Sequence, residues 1–193
     1  MISQDQENAD DQRSILKVLE TNRLSLRRLS TEDADFIFEL VNEPSWLRFI
    51  GDKGVRSIAD ARDYILKGPV ESYERFGFGL YLVELKENET PIGICGLIKR
   101  ESLIDVDLGF AFLPKFWGNG YAYESASAVM AYGKSALGLN RIVAVTMPDN
   151  HNSIKVLEKL GFRCEQMTRL SVDATEIKLF AHDESVQRQK GRR

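Results

Sequence analysis

Between Leu113 and Glu124 the chain reads LPKFWGNGYAYE, and its chemistry centres on Gly118, Asn119 and Gly120. Two glycines here can take positive φ and let the backbone approach a ligand with no Cβ in the way. The helix predicted to start at Tyr121 leaves its first amides without intrahelical partners, at the positive end of the helix dipole. Gly118, Asn119, Gly120, Tyr121 and Ala122 therefore form a candidate phosphate or pyrophosphate site made of backbone, with Lys115 adding a cation nearby. A Gly-rich turn that holds no ligand is the competing reading, since a lone G-x-G is weak evidence. A Walker A loop is absent, and Tyr123 stands where a dinucleotide fingerprint needs its third glycine. A diphosphate carried by something other than NAD or ATP fits the turn better.

Other candidates are sparser. The only histidines are His151 and His182, and no Cys-His or Ser-His-Asp set is suggested, so an acyl-enzyme route is not expected. The two cysteines, Cys95 and Cys164, show no C-x-x-C spacing and read as reduced, buried thiols of a cytosolic protein, with no metal expected. Lys plus Arg number 26 against 29 Asp plus Glu, a net charge of -3, which disfavours a nucleic-acid binder. No apolar run approaches the roughly 20 residues of a membrane span. The opening MISQDQENADDQR is polar and acid-rich, unlike a signal peptide. A cytoplasmic protein with no membrane partner is expected.

The elements that must position these residues follow from periodicity. With 193 residues, 43% hydrophobic, the chain suits one domain, set at 15–183 between an acidic tail (1–14) and a basic tail (184–193). Leu24 and Leu26 alternate with polar residues in a strand from Arg23 to Leu29. Ser30 with Asp33, and Ser57 with Asp60, are N-cap signals for two helices. Phe78–Leu85, Pro91–Lys99 and Val106–Leu113 read as strands, the first two joined by the turn KENE. Ala122, Ala126, Val129, Met130, Gly133 and Leu137 form one helical face, stopped by Gly138. A strand from Arg141 to Met147 and a short helix from about His151 to Leu160 follow, with Leu157 and Phe162 placed to touch across a Schellman ending at Gly161. Strands near 163–170 and 175–182 close an α/β order, β-α-α-β-β-β-α-β-α-β-β.

Three segments together resemble one known family. TNRLSLRRLSTEDADFIFELVNE, DLGFAFLPKFWGNGYAYES and NHNSIKVLEKLGF are similar, in order and spacing, to segments of the GCN5-related N-acetyltransferase (GNAT) superfamily, in its branch of ribosomal-protein N-terminal acetyltransferases of the RimJ/RimL type. The resemblance runs from about Val18 to Asp183. It implies a single-domain α/β fold with a mixed, mostly antiparallel twisted sheet of about seven strands and about four helices, splayed between the fourth and fifth strands. It implies acetyl-CoA as cosubstrate, with Gly118 to Ala122 on its pyrophosphate and the backbones of Phe110, Ala111 and Phe112 along its pantetheine. Lys115 stands where the superfamily usually has Gln or Arg, so the charge is kept and bidentate geometry lost.

The same resemblance gives Asn150 a bond to the pantetheine arm and sets Ser153 near the sulfur. Asn150 is equally a plausible helix N-cap. Many members carry a Tyr four residues after the Ser position to protonate the sulfur, and Leu157 stands there, which leaves Ser153 as the candidate acid. Asp107 resembles the family's acidic position, as a base acting through water, a substrate-orienting charge or a structural cap. Trp46 and Phe49, in WLRFIGDKG, either line the acceptor pocket or pack beneath a loop. The expected activity is acetyl transfer to a primary amine, a peptide N-terminus or a small molecule, by direct attack in a ternary complex. A non-catalytic CoA-binding sensor on the same fold is the alternative. A monomer or a homodimer is expected.

Overall fold

Leu24 and Leu26 bury completely on one face of a strand while Arg27 on its other face is also buried, at 7% exposure, because the sheet is covered on both sides. The computed structural model describes residues 16–172 and 174–183, so the expectations for the tails at 1–14 and 184–193 fall outside the described residues. Among these, eight strands form the sheet: β1 (Lys17–Glu20), β2 (Leu24–Arg28), β3 (Leu80–Leu85), β4 (Pro91–Ile98), β5 (Val106–Phe112), β6 (Arg141–Thr146), β7 (Arg163–Thr168) and β8 (Ile177–Asp183). Their order is β1-β2-β3-β4-β5-β6-β8-β7. Neighbours are antiparallel except β5 and β6, which run parallel. The strand beyond the expected seven is β1, whose four residues are too few to show a period and whose register with β2 slips between Lys17 and Leu19.

Six α-helices accompany the sheet among the described residues, where about four were expected: α1 (Ala34–Asn42), α2 (Pro44–Phe49), α3 (Ile58–Ile65), α4 (Glu71–Phe76), α5 (Tyr121–Ser135) and α6 (His151–Lys159). The additional two are α2 and α4, each of six residues, little more than one and a half turns. Pro44 opens α2, where its missing N–H costs nothing, so WLRF is helical rather than a loop. Ser57 accepts from the Asp60 amide at 3.1 Å and starts α3 as its sequence predicts. At the end of α6 the Phe162 and Gly161 amides donate to Leu157 and Glu158, and Leu157 and Phe162 are both buried, the expected Schellman contact.

The sheet separates two cores. Ile37 and Leu40 of α1 and Ala61 and Ile65 of α3 pack on Leu82 and Ile94. On the opposite face Ala126, Val129 and Met130 of α5 and Leu157 of α6 pack on Leu24, Leu26, Val83 and Ile142. No described helix is long and apolar enough to cross a membrane.

A buried ion cluster ties the first core to the sheet. Arg27 on β2 donates to both oxygens of Asp33 at 2.9 and 2.7 Å and to Glu84 on β3 at 2.9 and 3.0 Å. Asp33 also accepts from the Ser30 amide at 2.8 Å, so the predicted cap residue is at the same time a buried counter-ion. Burial opposes the charge on Arg27, and the two carboxylates outweigh it and raise its pKa further above the ordinary value. Removing the cation would strand two acids away from water. Arg27→Met is expected to cost about 3–5 kcal/mol, measured as a shift of the urea unfolding midpoint.

Candidate active site

The parallel pair β5–β6 closes over two positions only, Val106 with Ile142 and Asp107 with Val143. Past them β5 continues to Phe112 held by β4, and β6 continues to Thr146 held by β8. The strands diverge into a wedge with Asp107 at its apex, the splay expected between the fourth and fifth strands of the seven first read. The Leu113 amide donates to Ile92 on β4 at 3.0 Å. Backbone direction alternates along a strand, so Ala111 likewise faces β4, while Phe110 and Phe112 turn their amides to the wedge. Ala111 still lines the cavity, but its backbone groups are engaged in the sheet. The Phe112 carbonyl is taken by the Trp117 indole N–H at 2.7 Å. A cavity of about 940 Å³ fills the wedge and extends to α2, α3, α5 and α6.

At the wide end of the wedge lies the glycine turn. Gly118 and Gly120 have φ of 79° and 82°, the left-handed region that the sequence required of them. The first helical bond of α5 runs from Glu124 N–H to Gly120, so the amides of Tyr121, Ala122 and Tyr123 have no partner within the helix. Gly118, Gly120, Tyr121 and Ala122 all border the cavity.

Asn119 serves the turn differently. Its side chain donates to the Phe116 and Trp117 carbonyls at 3.2 Å, and it is not among the residues lining the cavity. Lys115 also departs from its predicted place. The 3₁₀ turn Pro114–Phe116 carries it toward α1, where its ammonium sits 3.5 Å from Glu39.

A clamp with no local sequence signal holds this turn. Arg23 donates to the Asn119 carbonyl at 3.1 Å and to Glu124 at 2.8 Å, and its guanidinium covers the Tyr121 ring. Thr21 adds a bond to Glu124 at 2.6 Å. Burial opposes ionisation of Glu124, but Thr21 and Arg23 prevail and hold its carboxyl below the usual range. The two partners lie 101 residues apart, beyond the reach of any local pattern.

The second wall is β6 with the start of α6. Asn150 caps that helix, its Oδ1 accepting from the Ser153 amide at 3.2 Å, which leaves its amide NH₂ and one Oδ1 lone pair for a ligand. Both residues line the cavity, and Ser153 is partly buried. Leu157 is fully packed in the core. Lys159 lies over the Tyr123 ring at 4.3 Å, joining α6 to the first turn of α5. His151 is exposed at the start of α6, whereas His182 is buried edge-on against Phe162. Of the two thiols expected to be buried, only Cys95 is, and burial pushes it up to about 12. Cys164 is exposed, because β7 is the sheet's last strand with most of its residues facing solvent.

At the apex Asp107 is 1% exposed, and its Oδ2 accepts from Arg100 Nε at 2.6 Å. Burial raises its pKa to about 6 against the opposing pull of Arg100. Arg100 was missed in the sequence, although the β4–β5 hairpin contains the signal: Ile98 pairs with Asp107, which puts Arg100 two residues beyond it. Lys53 and Tyr64 also border the cavity. Trp46 and Phe49 line the cavity too, from α2 rather than from a loop, and Trp46 belongs at once to the core and to the cavity wall. Arg48 spans the mouth to Asp149 at 2.8 Å. Among the described residues no group of three or more His, Cys, Asp or Glu is placed to hold a metal.

Comparison with known proteins gives this geometry a setting. The family described as "Acetyltransferase (GNAT) domain" matches residues 23–163. An uncharacterized N-acetyltransferase of Bacillus subtilis, YoaA, is 35% identical over 154 residues, covering 79% of this chain and 86% of that protein. Among solved structures, a GNAT-family acetyltransferase from Bacillus anthracis superposes with a TM-score of 0.72 at 25% identity, over 86% of this chain and 98% of that one. RimL, a ribosomal L7/L12 α-N-protein acetyltransferase solved with coenzyme A, shares the fold with a TM-score of 0.73 at 19% identity, over 86% and 97% of the two chains.

The raised pKa of Asp107 has a thermodynamic signature. An acid whose pKa is higher folded than unfolded contributes stability below its unfolded value, near 3.9, and loses it as pH rises through about 6. Asp107→Asn removes that loss. The variant is expected to be more stable than the parent by on the order of 2 kcal/mol at pH 7.5, with the gain fading below pH ~4, read from urea unfolding at several pH values.

Proposed function

This chain belongs to the GNAT acetyltransferase family, and on that premise we propose that it moves an acetyl group from acetyl-CoA to a primary amine by direct attack while both substrates are bound. The observation that carries the proposal is the wedge itself: an unpaired edge of β5 leads from a buried carboxylate to a turn of free helix amides. Phe110 and Phe112 offer backbone groups spaced as a strand offers them, suited to the amides of a pantetheine arm. The Tyr121 and Ala122 amides, with the α5 dipole behind them, suit a pyrophosphate. Asn119 and Arg23 shape that cradle and Lys115 stands outside it.

Bound in this way, acetyl-CoA supplies a thioester carbonyl that a neutral amine can attack. Asp107 is the group placed to remove the amine's proton through a water, and a pKa near 6 leaves it ionised at neutral pH. Ser153 lies on the first turn of α6, where its hydroxyl and the helix N-terminus favour the sulfur leaving as thiolate. Trp46 and Phe49 wall the acceptor's approach. The acceptor is a peptide N-terminus or a small-molecule amine, and the relatives do not decide between them.

One observation favours a second reading, a CoA-binding sensor: the position that often carries the sulfur's acid is Leu157, sealed in the core. Ser153→Ala combined with Asp107→Asn separates the two. For an enzyme, kcat falls by roughly 10²- to 10⁴-fold while acetyl-CoA affinity stays within a few-fold. A sensor has no turnover to lose. In the parent kcat/KM should fall as pH drops below about 6, where Asp107 gains its proton, and Asp107→Asn should lose that limb. Gly120→Val sets a β-branched residue at a φ of 82°, which it cannot hold without shifting the turn that carries the helix amides. At least a tenfold weaker acetyl-CoA affinity is expected by calorimetry, and an unchanged affinity would remove the cradle from the account.

A further inference from the structure

The apex end of the cavity collects more positive charge than the reaction asks for. Arg100 and Asp107 pair there, and Arg48 and Asp149 pair across the mouth. Lys53, in the connection between α2 and α3, lines the same cavity from its solvent-exposed rim and has no hydrogen bond or ion pair among the described residues. Partial burial lowers its pKa first, and the positive charge of Arg100 lowers it further, so Lys53 lies within electrostatic reach of a guanidinium whose own carboxylate partner is Asp107. The Trp46 indole N–H is a further donor without a partner, in a side chain only 4% exposed that borders the cavity. Tyr64, also on this wall, lies near enough to Arg100 to feel its charge.

A spare cation and an unpaired buried donor bordering one cavity are the reverse of what a polycationic acceptor needs, and they match an anion of one charge. We propose that the amine acceptor carries a carboxylate close to its reacting nitrogen, received by Lys53 and Arg100 with the Trp46 N–H, so that Lys53 sets acceptor specificity. This rests on the acetyl-transfer reading above. The arrangement also serves the amine, since nearby cations disfavour its protonated form and a carboxylate on the same molecule offsets the repulsion on entry. The carboxylate has two possible sources, the α-carboxylate of a free amino acid or the side chain of an acidic residue at a peptide N-terminus.

Matched pairs of acceptors test the proposal with the full chain and acetyl-CoA, reading released CoA thiol. One pair is a set of free amino acids against their amides. The other is peptides beginning with Asp or Glu against the same peptides beginning with Asn or Gln. The expected result is a kcat/KM at least tenfold higher for the acid in one pair, and which pair it is identifies the source. Lys53→Met should shrink that ratio toward one, and Lys53→Glu should invert it, with calorimetric acetyl-CoA affinity showing that both variants remain folded. Equal rates on acids and amides, or a ratio that survives both substitutions, would overturn the inference and leave acetyl transfer standing. Acetyl-CoA binding with no CoA released from any amine counts against the transfer reading and takes this inference with it.

Discussion

Two strands that pair for two residues and then part set the terms for the rest of the site. Had β5 and β6 stayed together, their edges would have satisfied each other and left a closed sheet. Because β4 holds β5 and β8 holds β6 along the rest of their lengths, each strand keeps its place while a row of backbone groups stays open. Unpaired backbone inside a fold is costly unless water or a ligand meets it. The wedge therefore leaves a row of backbone groups that water, or an extended and amide-bearing partner, can meet. Its two ends differ in chemistry, with free helix amides at the wide end and a buried acid at the apex.

Several groups at the apex run against stability. A carboxyl with one unpartnered oxygen, an indole N–H without an acceptor and two cations near each other all oppose folding. The compensation lies elsewhere. Both faces of the sheet are packed with fully buried side chains, and the Arg27 cluster fastens β2, β3 and the start of α1 into one unit. The turn is fastened likewise, by Arg23 and Glu124 rather than by the residues that would touch a ligand. Concentrating unmet polar groups in one cleft of an otherwise satisfied fold is what a binding site requires.

What the sequence disclosed depended on how local each cause was. Positive φ at Gly118 and Gly120 is a property of the residue type, and the helix ending at Gly161 follows from a few adjacent side chains, so both were legible. The short helix α2 was not, because six residues cannot establish a period and its aromatics resemble a loop's. Lys115 has the right charge beside the turn but points toward α1, since one 3₁₀ turn redirects it. The Ala111 backbone turns to β4 for the same kind of reason, a register that only strand pairing fixes. Asp107 could be named as a candidate, but its raised pKa comes from burial, and Lys53 and Arg100 approach from separate elements. That convergence is tertiary and left no trace in spacing.

In the proposed function, the open edge of β5 and the first turn of α5 hold the donor through backbone groups. Amide hydrogen exchange with and without acetyl-CoA reads those groups directly. Binding should slow exchange at Phe110, Phe112, Tyr121 and Ala122, with little change at Ala111, whose amide is already engaged with β4. Tight binding that leaves those amides exchanging as before, or protects a different set, would contradict that role.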